Sequence, residues 1–271
     1  MDIALITDTH LSGRAPECVA NWHAAAAAVA AAEPDLTIHL GDITLDGVNG
    51  PGELAFAATL IRAWPTPVRC LVGNHDMGTA SGEEPLSASA YGRCLDAFGP
   101  DRWRVRADGW TLLGINAQLL GSGSVQERSQ QQWLQTIAGE LTDSDRVALF
   151  LHRPVKRPPD DDSMPRGRYV GPEAARWLLD GPLGDSLRVV VSGHTHQALS
   201  FAADGIQHLW IPSSSFVFSD EIQKPVGKKV VGMGWLHLDD GELYCMTVVP
   251  PGCQPHELTQ LAFYRQAAAH H

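Results

Sequence analysis

The stretch Leu71-Val72-Gly73-Asn74-His75-Asp76 closes an apolar segment that begins at Val68 and ends it with three polar residues. The apolar segment predicts a short buried strand over 68–72, and Gly73 marks its end. In open α/β sheets, ligands bind beyond the carboxyl ends of the strands. Asn, His and Asp can each coordinate a metal or move a proton, so this stretch is a candidate functional site.

The same arrangement occurs at four other places in the chain, after predicted strands over 2–7, 36–40, 146–151 and 187–192. The polar residues that follow the five strands are Asp8 and His10, Asp42, Asn74 and His75, His152, and His194 and His196. A lone histidine at a strand end is usually an ordinary polar residue. Its recurrence after five strands indicates one shared site. In Asp-x-His and His-x-His, residues two apart also point to the same side of an extended chain.

These residue types indicate a metal centre. Imidazole and carboxylate groups suit zinc, iron and manganese, and the lack of cysteine ligands argues against a structural zinc site. The set is too large for one tetrahedral ion and fits two ions that share a ligand. Asp42 is the only candidate ligand on its strand, which makes it a natural bridge. The residues alone therefore favour a dinuclear hydrolase, and phosphate esters suit its chemistry.

The order of predicted elements favours an α/β fold. Helices predicted over 16–32 and 52–63 alternate with the first strands, which implies right-handed crossovers and a parallel core. In the second half, tight turns join the candidate strands, so that part is predicted to be more antiparallel. Those strands are predicted over 198–203, 207–211, 229–238 and 242–249.

The domain organisation is predicted to be simple. Composition shows no break between two units, so we expect a single domain over residues 1–271. Residues 77–100 are rich in Gly, Ser and Ala and interrupt the alternation, which makes them a candidate cap or flap insertion. Residues 256–269 are predicted to form a terminal helix.

Composition limits the partners. The chain has 271 residues, 44% of them hydrophobic, and a formal net charge of -11, from 31 acidic and 20 basic residues. Proteins that bind long nucleic acids normally carry a basic face, so this class is not expected. No apolar run reaches the ~18 residues that span a bilayer, and a membrane is not expected as a partner.

The cysteine count and the start of the chain indicate a compartment. Five cysteines without a C-x-x-C pair predict free thiols in a reducing environment. A strand begins at Asp2 with no basic segment before it, so we expect a cytoplasmic protein. The expected partner is a small phosphate ester, and a homo-oligomer is left open.

Five sequence blocks resemble the signature of the calcineurin-like metallophosphoesterases. They are, in order, Asp8-x-His10, Gly41-Asp42, Gly73-Asn74-His75-Asp76, His152, and Gly193-His194-Thr195-His196. The resemblance implies a four-layer αββα sandwich of two mixed β-sheets flanked by helices. It also implies two divalent or trivalent metal ions, of Fe, Mn or Zn.

The resemblance assigns roles to the motif residues. It implies a first metal held by Asp8, His10, Asp42 and His196, and a second held by Asp42, Asn74, His152 and His194. His75 would lie just outside the metals and assist the leaving group. Asp76 would orient His75, as carboxylates behind an active site commonly do. The alternative for Asp76 is a structural cap on the loop.

Within the family, the details favour a phosphodiesterase. Protein Ser/Thr phosphatases carry an Asp three residues after the bridging Asp, followed by Arg-Gly, and a Glu after their His. Here Asp46 lies four residues after Asp42, Gly47 replaces the Arg and Asp76 replaces the Glu. The chain is more similar to bacterial class III cyclic nucleotide phosphodiesterases and glycerophosphodiesterases. Those often have His-His-Pro where this chain has His152-Arg153-Pro154.

The predicted function is hydrolysis of a cyclic nucleotide or small glycerophosphodiester by a metal-bound hydroxide, with His75 assisting the leaving group. A phosphomonoesterase or a phosphonate or phosphotriester hydrolase of the same fold is one alternative. A non-catalytic metal-binding scaffold is another. Asn74 and Arg153 are the candidate substrate-binding residues.

The loop 155–171 leaves two hypotheses open. Several cations lie in this loop or just before it, namely Arg153, Lys156, Arg157, Arg166 and Arg168. One or two of them could bind a phosphate oxygen or a substrate carboxylate. Alternatively, the loop is solvated and its charge is balanced by Asp160–Asp162. Likewise, Trp103 and Trp110 are expected to be core residues of a hairpin rather than a base-stacking platform.

Overall fold

The computed structural model describes residues 1–80, 86–107, 109–161, 167–239 and 242–268. Its strands are β1 (Asp2–Ile6), β2 (Leu36–His39), β3 (Val68–Cys70), β4 (Trp103–Ala107), β5 (Trp110–Gly114), β6 (Arg146–Leu151), β7 (Leu187–Ser192), β8 (Gln197–Ala203), β9 (Ile206–Trp210), β10 (Phe216–Val217), β11 (Lys228–Lys229), β12 (Met233–Leu238), β13 (Leu243–Val248) and β14 (His256–Glu257). Its α-helices are α1 (Pro16–Ala32), α2 (Pro51–Arg62), α3 (Asn74–Met77), α4 (Ala88–Phe98), α5 (Val125–Ala138), α6 (Pro172–Leu179) and α7 (Ala262–Ala268).

Two large mixed sheets form the centre of the fold. The first has five strands in the order β13-β12-β1-β2-β3, with β1, β2 and β3 parallel. The second has seven strands in the order β11-β8-β9-β7-β6-β5-β4, with β5, β6, β7 and β9 parallel. Helices cover the outer faces, so the predicted four-layer αββα arrangement is confirmed. In the second half of the chain, β12 pairs antiparallel with β13 and β8 pairs antiparallel with β9, as the tight turns of that half predict.

Alternation along the strands explains the layers. In β1, Ile3 and Leu5 pack in the core between the two sheets, whereas Ala4 and Ile6 pack toward α1 and α2. On the second sheet, the core against α5 and α6 contains Leu149 of β6. Strands buried on both faces need apolar residues at every position, which accounts for their unbroken apolar runs.

Several element boundaries differ from the prediction. The predicted strand 68–72 ends at Cys70, and the predicted strand 229–238 is divided between β11 and β12. The predicted terminal helix 256–269 is wrong in its first part. His256 and Glu257 instead form β14, because their backbone pairs in parallel with β10. The helix begins only at Ala262, and residue 269 lies outside the described residues.

The candidate cap at 77–100 contains α4, which packs on the body of the fold. Ala90 and Cys94 of α4 are buried with Leu54 of α2 and Val72. Residues 81–85 of this segment lie outside the described residues, and the cap role stays a prediction. Trp103 and Trp110 are buried in the core between the sheets, as expected for the hairpin.

Two further expectations can be compared with the structure. The cysteines are free thiols, as predicted from their number and spacing. Among the described residues, no helix has both the length and the apolar composition needed to cross a membrane.

Candidate metal centre

The predicted ligand residues lie together beyond the carboxyl ends of β1, β2, β3, β6 and β7. Two groups could each hold a metal ion, with ligand atoms within 4.8 Å of one another in each group. The first group is Asp8, His10 and His196, and the second group is Asp42, His152 and His194. The fold thus brings these five side chains together with Asp42 in one site. They lie up to 188 positions apart in the sequence, from residue 8 to residue 196.

In the first group, three ligand atoms converge without protein partners that would satisfy them. His196 Nε2 lies 3.3 Å from His10 Nε2 and 3.4 Å from Asp8 Oδ1. Asp8 Oδ1 is buried and has no hydrogen-bond partner in the described part of the chain. A cation between these atoms would satisfy both ring nitrogens and the carboxylate oxygen at once. The first group therefore fits a metal ion.

The second group has the same character. His152 Nε2 lies 3.1 Å from His194 Nδ1 and 3.2 Å from Asp42 Oδ2. The amide oxygen of Asn74 is also buried and lacks a hydrogen-bond partner among the residues that the structure describes. Buried polar atoms normally have partners, and a metal ion held by this group would give the Asn74 oxygen one. The donor set fits a second metal ion.

The outer nitrogens of three histidines orient the rings toward the centre. His196 Nδ1 donates to the carbonyl of Phe216 at 2.7 Å, and His152 Nδ1 donates to the carbonyl of Leu40 at 3.1 Å. His194 Nε2 donates to the carbonyl of Gly167 at 3.1 Å. A carbonyl can only accept, so each outer nitrogen carries the proton. Each inner nitrogen then faces the centre, where a bound metal ion would take it as a ligand in place of a proton.

The backbone of the ligand residues is unusual. Five of them have left-handed φ angles, namely Asp8 (51°), His10 (46°), Asp42 (50°), His194 (67°) and His196 (54°). Residues other than glycine rarely adopt this conformation, and it costs of order 1–3 kcal/mol each where it does occur. Such strain clusters at functional sites, where the surrounding structure imposes it.

Glycines of the sequence blocks make room for the ligands. A Cβ at Gly73 would collide with the carboxylate of Asp42, and a Cβ at Gly193 would lie 2.8 Å from Asp8 Oδ2. A Cβ at Gly41, where φ is 112°, would lie 2.7 Å from His152 Nδ1. These glycines are therefore required by close approach at the site, and at Gly41 also by the backbone conformation.

The electrostatics keep the buried carboxylates charged. Burial would raise the pKa of Asp8, but His196 and His152 hold that pKa well below its usual range. Burial lowers the pKa of His194 to about 3, and the neighbouring His152 adds to this effect. Burial also opposes protonation of His152, yet the carboxylate of Asp42 raises its pKa to about 9. Asp8 and Asp42 are therefore buried, ionised carboxylates, which favours a bound cation.

His75 lies beside the first group. Its ring packs edge-on to the ring of His10, with 4.8 Å between the centroids. Its Nδ1 donates to the carbonyl of Leu45 at 2.8 Å, and its backbone N–H donates to Asp42 Oδ1 at 2.9 Å. His75 is thus oriented by Leu45 and linked to Asp42 through its backbone.

Asp76 has the structural role that the sequence left as an alternative. Its carboxylate is buried and accepts hydrogen bonds from the backbone N–H groups of Ile43, Thr44 and Gly73 and from the Thr44 hydroxyl. Burial and the charge of Asp42 raise its pKa to about 6. These bonds join the loops after β2 and β3, and the role of Asp76 in orienting His75 stays a prediction.

Arg153 is buried beside the second group. Its guanidinium donates to the Thr79 hydroxyl at 3.1 Å and to the carbonyl of Tyr169 at 2.6 Å. It therefore links the segment after α3 to the loop before α6. Its Nε is buried without a hydrogen-bond partner in the described ranges, and its substrate-binding role stays a prediction.

Most of the other loop cations are ion-paired. Lys156 Nζ lies 2.5 Å from Asp204 Oδ2, while Arg157 and Arg168 lie 3.7 and 3.5 Å from the buried carboxylate of Asp161. These pairs favour the balanced loop over a row of phosphate-binding cations. Arg166 and Asp162 lie outside the described residues.

Sequence reasoning missed the segment after β9, which supports the first group. The hydroxyls of Ser213 and Ser215 donate to the carbonyl of Asp8 at 2.9 and 2.6 Å. The next residue, Phe216, provides the carbonyl that orients His196. The run Pro212-Ser213-Ser214-Ser215 directly after a predicted strand was the available signal. Hydroxyl groups that act through a backbone carbonyl leave no metal-ligand pattern in the sequence.

The fold and site together define a dinuclear metallohydrolase, and comparison with known proteins identifies the family. Residues 1–198 match the model of the calcineurin-like phosphoesterases. The chain belongs to this family and is a metal-dependent phosphoester hydrolase.

Curated relatives carry more specific names. The chain is 26% identical over 256 residues to a "probable cyclic nucleotide phosphodiesterase" of Psychrobacter arcticus, with 88% of this chain and 89% of the relative covered. It is also 26% identical over 238 residues to a protein of the same description from Synechococcus, with 84% and 85% covered.

Solved structures show the same fold. A dimetal phosphatase from Danio rerio superposes with a TM-score of 0.63 at 16% identity, covering 91% of this chain and 95% of that one. The protein GAP50 of Plasmodium, described as the anchor in the inner membrane complex, superposes with a TM-score of 0.64 at 14% identity, covering 94% and 86%. At these identities the likeness concerns the fold alone.

Proposed function

We propose that the protein is a dinuclear-metal phosphodiesterase that hydrolyses a small diester, either a cyclic nucleotide or a glycerophosphodiester. One observation carries the proposal. Two groups of His and Asp ligands lie side by side, Asp8 Oδ1 and Asn74 Oδ1 are buried without a hydrogen-bond partner among the described residues, and His75 lies beside them. The names of the curated relatives support the diester, and the five blocks of the signature support the reaction class.

The proposed ligand sets follow the two groups and add the shared residues. Asp8, His10, Asp42 and His196 would hold the first ion, and Asp42, Asn74, His152 and His194 would hold the second. When bound, such ions supply a hydroxide nucleophile near neutral pH and neutralise charge on the phosphoryl oxygens. Nitrogen and oxygen ligands of this kind suit Fe, Mn or Zn, as divalent or trivalent ions.

The protein side chains complete the reaction. Water adds its oxygen to phosphorus as the bond to the leaving oxygen breaks, and the products are a phosphomonoester and an alcohol. The departing alkoxide needs a proton, which we assign to Nε2 of the His75 imidazolium. Because Leu45 holds Nδ1, the ring presents Nε2 as its other nitrogen. A positioned acid of this type contributes about 10²–10⁴-fold to the rate.

Hydrolysis of three substrates by the metal-reconstituted protein tests the proposal. We expect cyclic AMP or a glycerophosphodiester to be hydrolysed with a higher kcat/KM than p-nitrophenyl phosphate. A preference for p-nitrophenyl phosphate would favour the monoesterase alternative. Full metal occupancy without turnover of these substrates, or of phosphonate and phosphotriester analogues, would favour the non-catalytic scaffold.

A further inference from the structure

The chain's C-terminal part places aromatic rings against the first ligand group. The ring of Phe218 lies 4.6 Å from the ring of His196. The buried ring of Phe216 lies 4.8 Å from His196 and 4.9 Å from His10. Phe263 of α7 follows at 6.2 Å from Phe216. These residues lie beyond residue 198, where the match to the family model ends.

The outer members of this group keep part of their surface exposed. Phe218, Phe263 and Tyr264 are half-buried and pack on a cluster that contains Phe216 and Leu258. We call these three half-buried residues the aromatic wall. A ring packed against the core on one face and partly exposed on the other is rigid and offers apolar area at little entropic cost.

The aromatic wall extends from the first ligand group toward His75. Leu45 is half-buried and packs with the same cluster as the wall. Its carbonyl is the group that orients His75. A substrate whose phosphorus lies at the metal centre therefore has this apolar surface along one side. Arg153 and the loop that contributes the carbonyl of Gly167 instead lie beside the second ligand group.

We propose that the aromatic wall binds the planar organic group of the substrate, which makes the preferred diester a nucleotide rather than a glycerol ester. This inference rests on the proposed function. A base has an apolar face that stacks on Phe218, whichever base it is. Glycerol offers no such face, and its hydroxyl groups would lose water against apolar rings.

Two substrates that differ only in the base test the wall. One is cyclic AMP, and the other is its abasic analogue, in which a methoxy group replaces adenine. The leaving alkoxide is the same in both. We expect the unaltered protein to hydrolyse cyclic AMP with a kcat/KM about 10–100-fold higher than that of the analogue, since base stacking contributes on this scale.

Substitution of Phe218 should remove this preference. Phe218→Leu keeps an apolar side chain of similar volume without a π face, so kcat/KM for cyclic AMP should fall about tenfold, mainly through KM. The rate on the abasic analogue and the metal content should stay within about twofold of the unaltered protein. Phe56→Ala is the control, because Phe56 is another partly exposed phenylalanine (37%) and lies on α2. This control should leave kcat/KM unchanged for both substrates.

The outcomes separate this inference from the proposed function. Equal losses on both substrates, with lower metal content, would show that Phe218 only supports His196 and would overturn the inference. So would a Phe218→Leu protein with the original preference. If the unaltered protein hydrolyses both cyclic esters equally well, the aromatic wall does not bind the base. The proposed phosphodiesterase activity would be unaffected by that result. If the metal-loaded protein hydrolyses neither cyclic ester and no glycerophosphodiester, the proposed function itself is wrong.

Discussion

The two ligand groups differ in what holds them. In the first group, Asp8 is fixed from two sides. Its carbonyl accepts from Ser213 and Ser215, and its Oδ2 accepts from the Thr7 hydroxyl at 2.7 Å. These residues are fully buried or nearly so. The first group is therefore built on the core between the sheets and α1.

The second group depends partly on a surface loop. His194 is half-buried, and its outer nitrogen donates to Gly167 in the loop between β6 and α6. Arg153 holds the same loop through the carbonyl of Tyr169. Preorganised ligands bind metals more tightly than ligands that must be ordered first. We therefore expect the first ion to bind more tightly and the second ion to exchange more readily.

Asp42→Asn should remove the difference between the groups by disabling both. The change takes the negative charge from a residue that faces His152 and that we propose as the bridging ligand. We expect metal content to fall together with turnover, which should drop by more than about 100-fold, beyond the loss typical of residues behind the ligands. Metal analysis and kinetics on the same preparation provide the measurement.

Asp46→Asn is the matched control for this variant. Asp46 lies on the same loop, but its carboxylate is partly exposed and accepts from Asn49. It should keep both metals and activity. An Asp42→Asn protein with full metal content would show that Asp42 is not a shared ligand.

His75→Ala should separate metal binding from catalysis. Both groups keep their ligands, so metal content should be unchanged, while turnover of an alkyl diester falls about 10²–10⁴-fold. The loss should be much smaller on bis(p-nitrophenyl) phosphate, whose leaving group needs no proton. An unchanged rate on the alkyl diester would disprove the assigned role, and equal losses on both esters would indicate a different one.

A pair of variants tests the asymmetry of the groups directly. Arg153→Met removes the link to Tyr169 and should weaken binding of the second ion about tenfold, with little effect on the first. Thr7→Val removes the hydrogen bond to Asp8 Oδ2 and should do the reverse. Calorimetric titration of the metal-free proteins resolves the two binding events. Equal weakening of both ions by either variant would show that the groups are coupled and the comparison is wrong.

The smallest expected effect lies outside the centre, at His208 of β9. This ring is buried, stacks on Phe201 and lies near Lys156 and Asp204. Burial and the charge of Lys156 lower its pKa from 6.5 to about 4. Between pH 6.5 and pH 4, His208 therefore binds a proton in the unfolded chain but not in the folded chain. The stability that this residue contributes is full above pH 6.5 and is lost as the pH falls toward 4.

His208→Gln cannot titrate and should lose less stability in acid than the unaltered protein. Between pH 7.5 and pH 5 the difference should be about 2 kcal/mol in the free energy of unfolding, measured by denaturant titration at both pH values. Parallel pH curves for the two proteins would show that the acid sensitivity comes from the metal centre instead.

Much of this molecule could be predicted from residue patterns. The bounds of α1, β6 and β7 agree with the prediction to the residue, because apolar periodicity, Pro and Gly act locally. The members of both ligand groups were also found, since Asp and His after a buried strand have few structural reasons to recur. The role of Asp76 could not be decided from the sequence, because its partners Ile43 and Thr44 lie more than thirty positions away in the chain.

The sequence by itself determined the α/β class and the candidate ligand residues, because these depend on local periodicity and on residue types next to a strand end. Only the tertiary structure decided how the ligands divide into two groups and which carbonyls orient them. It also decided that β14 replaces the start of the terminal helix and that the aromatic wall stands beside His196. These features depend on contacts between segments far apart in the chain, and such contacts form only when the two sheets pack.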